Sequence, residues 1–271
     1  MATMTKAKAP AQKDQPILRR ADKDGVAALT LNRPGARNAL SVGLMSELQA
    51  ALDGIAKDRT IKVVIIGAEG PAYCAGHDLR EIRANPGRAA YEALFEQCSR
   101  LMQSIVALPQ PVIAKVPGFA YAAGCQLVAS CDLAVAAETA TFCTPGVNIG
   151  LFCSTPMVAA SRNLPRKKMM EMLLLGDAIP AKEAQALGLV NRVVPPAKLE
   201  AETRALAETI AKKSPLVVKI GKEAFYRQLE MPLAEAYAYT SRVMTENMLA
   251  RDAEEGIDAF LEKRAPKWEG R

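Results

Sequence analysis

The polar and apolar positions of this chain alternate between two periods. Gly25–Leu31 (GVAALTL) is a short apolar run stopped by Asn32, Arg33, Pro34 and Gly35, the pattern of a strand and its turn. Leu44, Leu48, Ala51, Leu52 and Ile55 then recur at helical spacing, which predicts an amphipathic helix after Asn38–Ser41. Ile61–Gly67 (IKVVIIG) and Pro111–Val116 (PVIAKV) are continuous apolar runs, as expected of strands covered on both faces. Between them a helical region runs from about Tyr91 to Leu108; Cys125–Ser130 reads as a short helix and Leu133–Ala137 as a strand. This order predicts an α/β core. From Arg166 helical spacing dominates, in Lys167–Leu175, Ala181–Leu187 and Leu199–Lys213, with Leu189–Val194 strand-like. Ser214–Lys263 is helical throughout, with Pro215 and Pro232 as interruptions. Met1–Gln15 has no apolar period and is expected to be a disordered tail rather than a transit peptide, which would be richer in Arg and Ser.

Composition narrows the function. The 271 residues suffice for one large domain, or a core with an appendage, and 50% hydrophobic with 24% charged residues is globular composition. Thirty-five basic against 29 acidic side chains leave only +6, spread along the chain. With 5% aromatics and no basic stripe, nucleic-acid binding is not expected. The longest apolar stretch, Ser104–Ala137, is broken by Pro109, Pro111, Lys115, Pro117 and Asp132, so no membrane-spanning helix is expected. No two of the six cysteines have the two-residue spacing of a zinc knuckle, and reduced, mostly buried thiols are expected. The single histidine, His77, excludes a multi-histidine metal centre.

No glycine-rich nucleotide loop and no nucleophile elbow is present. Two small-residue loops remain, AYCAGHD (72–78) and GFAYAAGC (118–125), each after a buried strand. Two readings fit them. They are tight turns in a packed sheet, or their backbone N–H groups, one set at a helix N-terminus, form an oxyanion hole that polarises a carbonyl.

Five ordered segments carry a resemblance: LNRPGARNALSVGLMSELQAAL (31–52), VVIIGAEGPAYCAGHDLREI (63–82), PVIAKVPGFAYAAGCQLVASCDLAVA (111–136), GDAIPAKEAQALGLVNRVVP (176–195) and EGIDAFLEKRAPKW (255–268). Through them the chain resembles the crotonase (enoyl-CoA hydratase/isomerase) superfamily over nearly its whole length. AAGCQLVASCD and TPGVNIGLFCSTP (144–156) point to the branch of enoyl-CoA hydratase domain-containing protein 3. The resemblance implies a spiral of strand–strand–helix units over residues 16–204 and a helical C-terminal region, 205–271, used in trimerisation. It further implies a homotrimer or dimer of trimers, and an acyl-CoA thioester ligand with no separate cofactor, coenzyme A being part of the substrate. The oxyanion N–H groups would be those of His77 and Ala123. Ala36, Arg37, Ala75, Asp78, Leu79 and Arg80 match segments bordering the ligand, and Phe260 and Lys263 match its adenine and phosphate contacts. The expected compartment is the cytoplasm, with the mitochondrial matrix as the alternative.

One departure bears on chemistry. The two glutamates that handle water and the Cα proton in the family's hydratases fall here at Gln126 and Gly146. A glutamine does not take a proton near neutral pH, and a glycine has no side chain. Standard hydration is therefore not expected. The remaining readings are other enolate chemistry, a binding protein without catalysis, or a thioesterase using water held by Gln126. His77 alone has a suitable side-chain pKa, and Cys74 beside it raises a Cys–His dyad. Tyr121, Cys143, Asn148 and Cys153 lie in matched pocket segments without being established bases.

Overall fold

The computed structural model describes residues 15–271, so the expected tail lies, but for Gln15, outside the described residues. In chain order the elements are β1 (Leu18–Lys23), β2 (Val26–Leu31), α1 (Val42–Lys57), β3 (Val63–Ala68), β4 (Ala72–Cys74), α2 (Leu79–Ala84) and α3 (Arg88–Ala107). They continue with β5 (Val112–Val116), β6 (Phe119–Tyr121), α4 (Ala123–Ser130), β7 (Leu133–Ala137), β8 (Thr141–Cys143), α5 (Pro156–Ala160) and α6 (Arg166–Leu175). The chain closes with β9 (Ile179–Pro180), α7 (Ala181–Ala186), β10 (Arg192–Val194), α8 (Leu199–Ala211), α9 (Pro215–Gln228), α10 (Leu233–Met248) and α11 (Arg251–Leu261).

The strands form a six-stranded sheet, β1-β2-β3-β5-β7-β10, and a four-stranded sheet, β4-β6-β8-β9. From β3 onward one strand enters the large sheet, the next enters the small one, and a helix returns the chain. That cycle occurs at β3-β4-α2, β5-β6-α4 and β7-β8-α5, which is the expected spiral. All pairings among β2, β3, β5, β7 and β10 are parallel, and β1 alone adds an antiparallel edge.

The apolar runs are continuous because the large sheet is covered on both sides. Val63, Ile65, Ile113 and Val135 face Leu199, Ala207 and Ala211 of α8. Val64, Ile66, Val112 and Ala114 face a larger core with Leu44, Leu48 and Leu52 of α1 and Leu101 and Ile105 of α3. The expected boundary at 204 falls inside α8, which packs on this sheet. β4 and β6, inside the glycine-punctuated loops, and β8 are absent from the sequence reading, because three residues are too few to display a period; the edge strand β1 and the two-residue β9 are absent from it as well. Pro215 and Pro232 do not interrupt helices. They stand at the N1 position of α9 and the N-cap of α10, where a missing N–H costs nothing.

A buried ion pair holds α9 to the core. Lys222 Nζ donates to Asp132 Oδ2 at 2.7 Å and to the carbonyls of Ile105 and Gln110, while Tyr226 Oη donates to Asp132 Oδ1 at 2.9 Å. The side chains of Lys222 and Asp132 are only 7% and 15% exposed. Lys222→Ala leaves a carboxylate buried without its cation and is expected to cost about 3–5 kcal/mol in denaturant unfolding. The double variant Lys222→Met/Asp132→Asn should lose less than the single.

Candidate active site

The two loops of interest lie side by side, because glycines let backbone touch backbone. A Cβ on Gly118 would stand 1.9 Å from the Pro71 carbonyl oxygen, and one on Gly124 2.2 Å from that of Cys74. Gly76, at φ +98°, is seated the same way: its Cβ would be 2.9 Å from Ala122 Cβ and 3.5 Å from the Ala123 nitrogen. Here only glycine fits, both for space and for the backbone angle. His77 is thereby placed next to the start of α4.

The hydrogen bonding leaves N–H groups unclaimed on both sides. Leu40 forms a parallel bridge with His77, its N–H donating to the Gly76 carbonyl at 2.8 Å and its carbonyl accepting from the Asp78 N–H at 3.1 Å. In that pairing the bonded groups belong to the residues flanking His77, so the His77 N–H faces the other way. On the second loop the Ala122 N–H donates to the Cys143 carbonyl at 2.9 Å, and Ala122 O accepts from the Gln126 N–H at 3.0 Å. Ala123 follows as the first residue of α4, where an N–H has no helical acceptor. Ala122 adopts φ 49° and ψ −118°, a strained backbone for a residue with a Cβ, of the kind concentrated at functional sites. All eight residues of α4 are buried.

The surrounding segments are pinned as well. Asn38, itself at positive φ, donates through Nδ2 to the carbonyls of Glu69 (2.9 Å) and Ala72 (2.8 Å). Arg37 accepts the Ala75 N–H at 3.1 Å, which draws Ala36 and Arg37 to the first loop. The Asp78 carboxylate is fully occupied, accepting from Arg33 Nη2 at 2.9 Å and capping α2 through the N–H groups of Arg80 and Glu81. The Arg33 guanidinium and these N–H groups hold it below the usual carboxylate range. Leu79 and Arg80 are exposed. Phe260 and Lys263 are not brought to these loops by the same route: α11 packs on α9 and α10, and Phe260 is 81% exposed.

None of the candidate side chains offers a strong base. Gln126 is buried, its Oε1 4.0 Å from the Cys98 thiol. A Cβ on Gly146 would meet the Leu151 carbonyl oxygen at 2.9 Å and Cys153 Sγ at 3.0 Å, so the space a side chain would need is filled. Burial pushes the Cys74 thiol up to about 12, and it faces Gly76 rather than the imidazole, so the dyad does not form. Cys143, whose thiol donates to the Gly176 carbonyl, is pushed up to about 11, and Cys153 is raised also. All six thiols are free and buried, as composition implied. Among the described residues no cluster of His, Cys, Asp and Glu suits a metal ion.

The environment of His77 had no signal in the sequence. Its ring meets Phe95, on α3, edge to face at 5.6 Å, and Nε2 is enclosed without a partner. Burial holds its pKa down to about 4, against 6.5 in a free imidazole. The folded chain therefore keeps His77 neutral where the unfolded chain takes up a proton. Stability is full above pH 6.5 and falls as the pH drops towards 4, by about 3 kcal/mol from this group. With one histidine in the chain, a single imidazole resonance reads this directly, and its midpoint is expected near pH 4. Phe95→Ala should move it towards 6.5.

Comparison with known proteins accords with this architecture. Residues 21–271 match the enoyl-CoA hydratase/isomerase family. A human relative named enoyl-CoA hydratase domain-containing protein 3, mitochondrial, is 49% identical over 90% of this chain and 81% of its own length. The crystal structure of the human protein of that name superposes with a TM-score of 0.91 at 47% identity, over 93% of this chain and all of the other. An enoyl-CoA hydratase structure from Mycobacterium smegmatis gives 0.92 at 50% identity, covering 94% and 99%. The chain belongs to the enoyl-CoA hydratase/isomerase family, with the crotonase fold, and is similar within it to the branch of enoyl-CoA hydratase domain-containing protein 3.

Proposed function

We propose that this chain binds an acyl-CoA thioester with the thioester oxygen between the N–H groups of His77 and Ala123, and that it is not a standard hydratase. The seating of Gly76 against Ala122 and Ala123 carries the reading, because it sets two unclaimed N–H groups from different loops beside each other. Such donors stabilise an enolate oxygen without moving a proton. Ala36, Arg37 and Ala75 border the same place, and Asp78, Leu79 and Arg80 continue from it. Phe260 and Lys263 are assigned to the nucleotide end of coenzyme A. Exposed apolar side chains on α10 and α11, among them Leu233, Tyr237, Met244 and Phe260, favour an assembly of copies, a trimer or a dimer of trimers. The human, rat and mouse relatives are named mitochondrial proteins, which favours the mitochondrion, the alternative compartment, over the cytoplasm.

The loss of hydration follows from proton handling. Each general acid–base step contributes roughly 10²–10⁴-fold, and both glutamate positions are without a carboxylate. His77, held near 4, is a weak base at neutral pH. The packing at Gly146 favours a second reading, a binding protein without catalysis, since it bars a side chain from that position.

Calorimetry is expected to detect butyryl-CoA binding, with crotonyl-CoA hydration at or near background in a coupled assay. Gln126→Glu should not restore it, because the second carboxylate is still missing. Efficient hydration by the unmodified protein would defeat the proposal, and so would absence of any acyl-CoA affinity.

A further inference from the structure

Gln126 stands where the family's resemblance places a carboxylate, and its side chain lies beside Cys98 of α3. The backbone at this residue is satisfied, its N–H by the Ala122 carbonyl at 3.0 Å and its carbonyl by the Ser130 hydroxyl at 2.8 Å. On the side chain, Oε1 takes the Cys98 thiol at 4.0 Å. Burial pushes that thiol up to about 12, so its proton stays in place at neutral pH and the oxygen is the natural acceptor for it. Nε2 has no partner among the described residues. Although the residue is only 4% exposed, this nitrogen is not sealed off from the accessible surface, unlike His77 Nε2 and Thr144 Oγ1. Two amide protons are thus offered where a carboxylate would offer lone pairs.

The position is defined relative to the proposed oxyanion hole. Gln126 follows Ala123 by three residues, on the same face of α4 and about 4.5 Å further along its axis. A thioester carbonyl held at Ala123 therefore lies within one helical turn of Gln126. The Asp78 carboxylate is paired with Arg33 and engaged in its cap. The α4 N-terminus adds positive potential.

We infer that Gln126 selects acyl-CoA thioesters whose C3 carries a hydrogen-bond-accepting oxygen, the oxo group of a 3-oxoacyl thioester or the carboxylate of a malonyl-type thioester, over thioesters with a plain hydrocarbon chain. This rests on the acyl-CoA reading above and adds the substrate class to it.

The test is calorimetric titration of the full chain with butyryl-, acetoacetyl- and malonyl-CoA. The two oxygenated ligands are expected to bind at least about 10-fold more tightly than butyryl-CoA, or about 1.4 kcal/mol. Preference for acetoacetyl-CoA alone assigns the oxo group, and preference for malonyl-CoA alone assigns the carboxylate. Gln126→Leu should abolish the preference, and Gln126→Glu should invert it most strongly against malonyl-CoA, with thermal melts checking that each variant is folded. Equal affinity for all three ligands, or a preference that survives Gln126→Leu, overturns the inference and leaves acyl-CoA binding standing. If no acyl-CoA binds, the underlying reading fails and takes this one with it.

Discussion

The site depends on the close approach of two chain segments where Cβ atoms are missing. Gly118 and Gly124 let β6 and the start of α4 lie against the backbone of Pro71 and Cys74, closer than any side chain would allow. Gly76 lets the first loop lie against Ala122. Parallel pairing of β4 with β6, Cys74 opposite Ala120, sets the register at which the loops meet. The large sheet matters because it fixes where β3 and β5 end, and so where β4 and β6 begin. Ala122 holds a strained backbone angle at this junction, which persists because α4 is buried along its whole length.

One electrostatic consequence follows. Polarity around the junction comes from backbone N–H groups, one glutamine amide and neutral side chains. The imidazole is kept uncharged by burial, the thiols are kept protonated by burial, and the Asp78 carboxylate is engaged in a cap and an ion pair. Fixed dipoles hold developing negative charge well, and cost no reorganisation when it forms. They do not transfer protons. On the proposed reading, charge stabilisation and proton transfer, which a hydratase combines, are separated here.

Much of this was legible in the sequence where burial imposed a pattern. β3, β5 and β7 showed as apolar runs because both faces of the sheet are covered, and α1 showed its period because one face is not. β4, β6 and β8 were hidden, being three residues each, the first two also in stretches whose glycines read as loop. That His77 and Ala123 share a place came from the family resemblance, not from spacing, since 46 residues separate them. The surroundings of His77 were unreadable: Phe95 lies on a helix 18 residues onward, and nothing local marks the contact. The bar at Gly146 was hidden too, because it is imposed by Leu151 and Cys153 folding back over it.

The two glutamate positions differ in kind. At Gln126 the backbone, the helix and the buried setting are those a glutamate would have, and the change is one of hydrogen-bond polarity. At Gly146 the chain itself has closed over the space, with the Leu151 N–H bonded to the Gly146 carbonyl at 2.9 Å and the Cys153 thiol beyond it. A carboxylate there requires the segment 151–153 to move, and α5, which begins at Pro156 and packs on α4, resists that movement. Placing two carboxylates here thus meets a packing obstacle at one position and needs only a change of side-chain chemistry at the other. On the proposed reading the backbone N–H groups of His77 and Ala123 are untouched by either change, and the Gln126 amide is the polar side chain that distinguishes this junction from one built on two carboxylates.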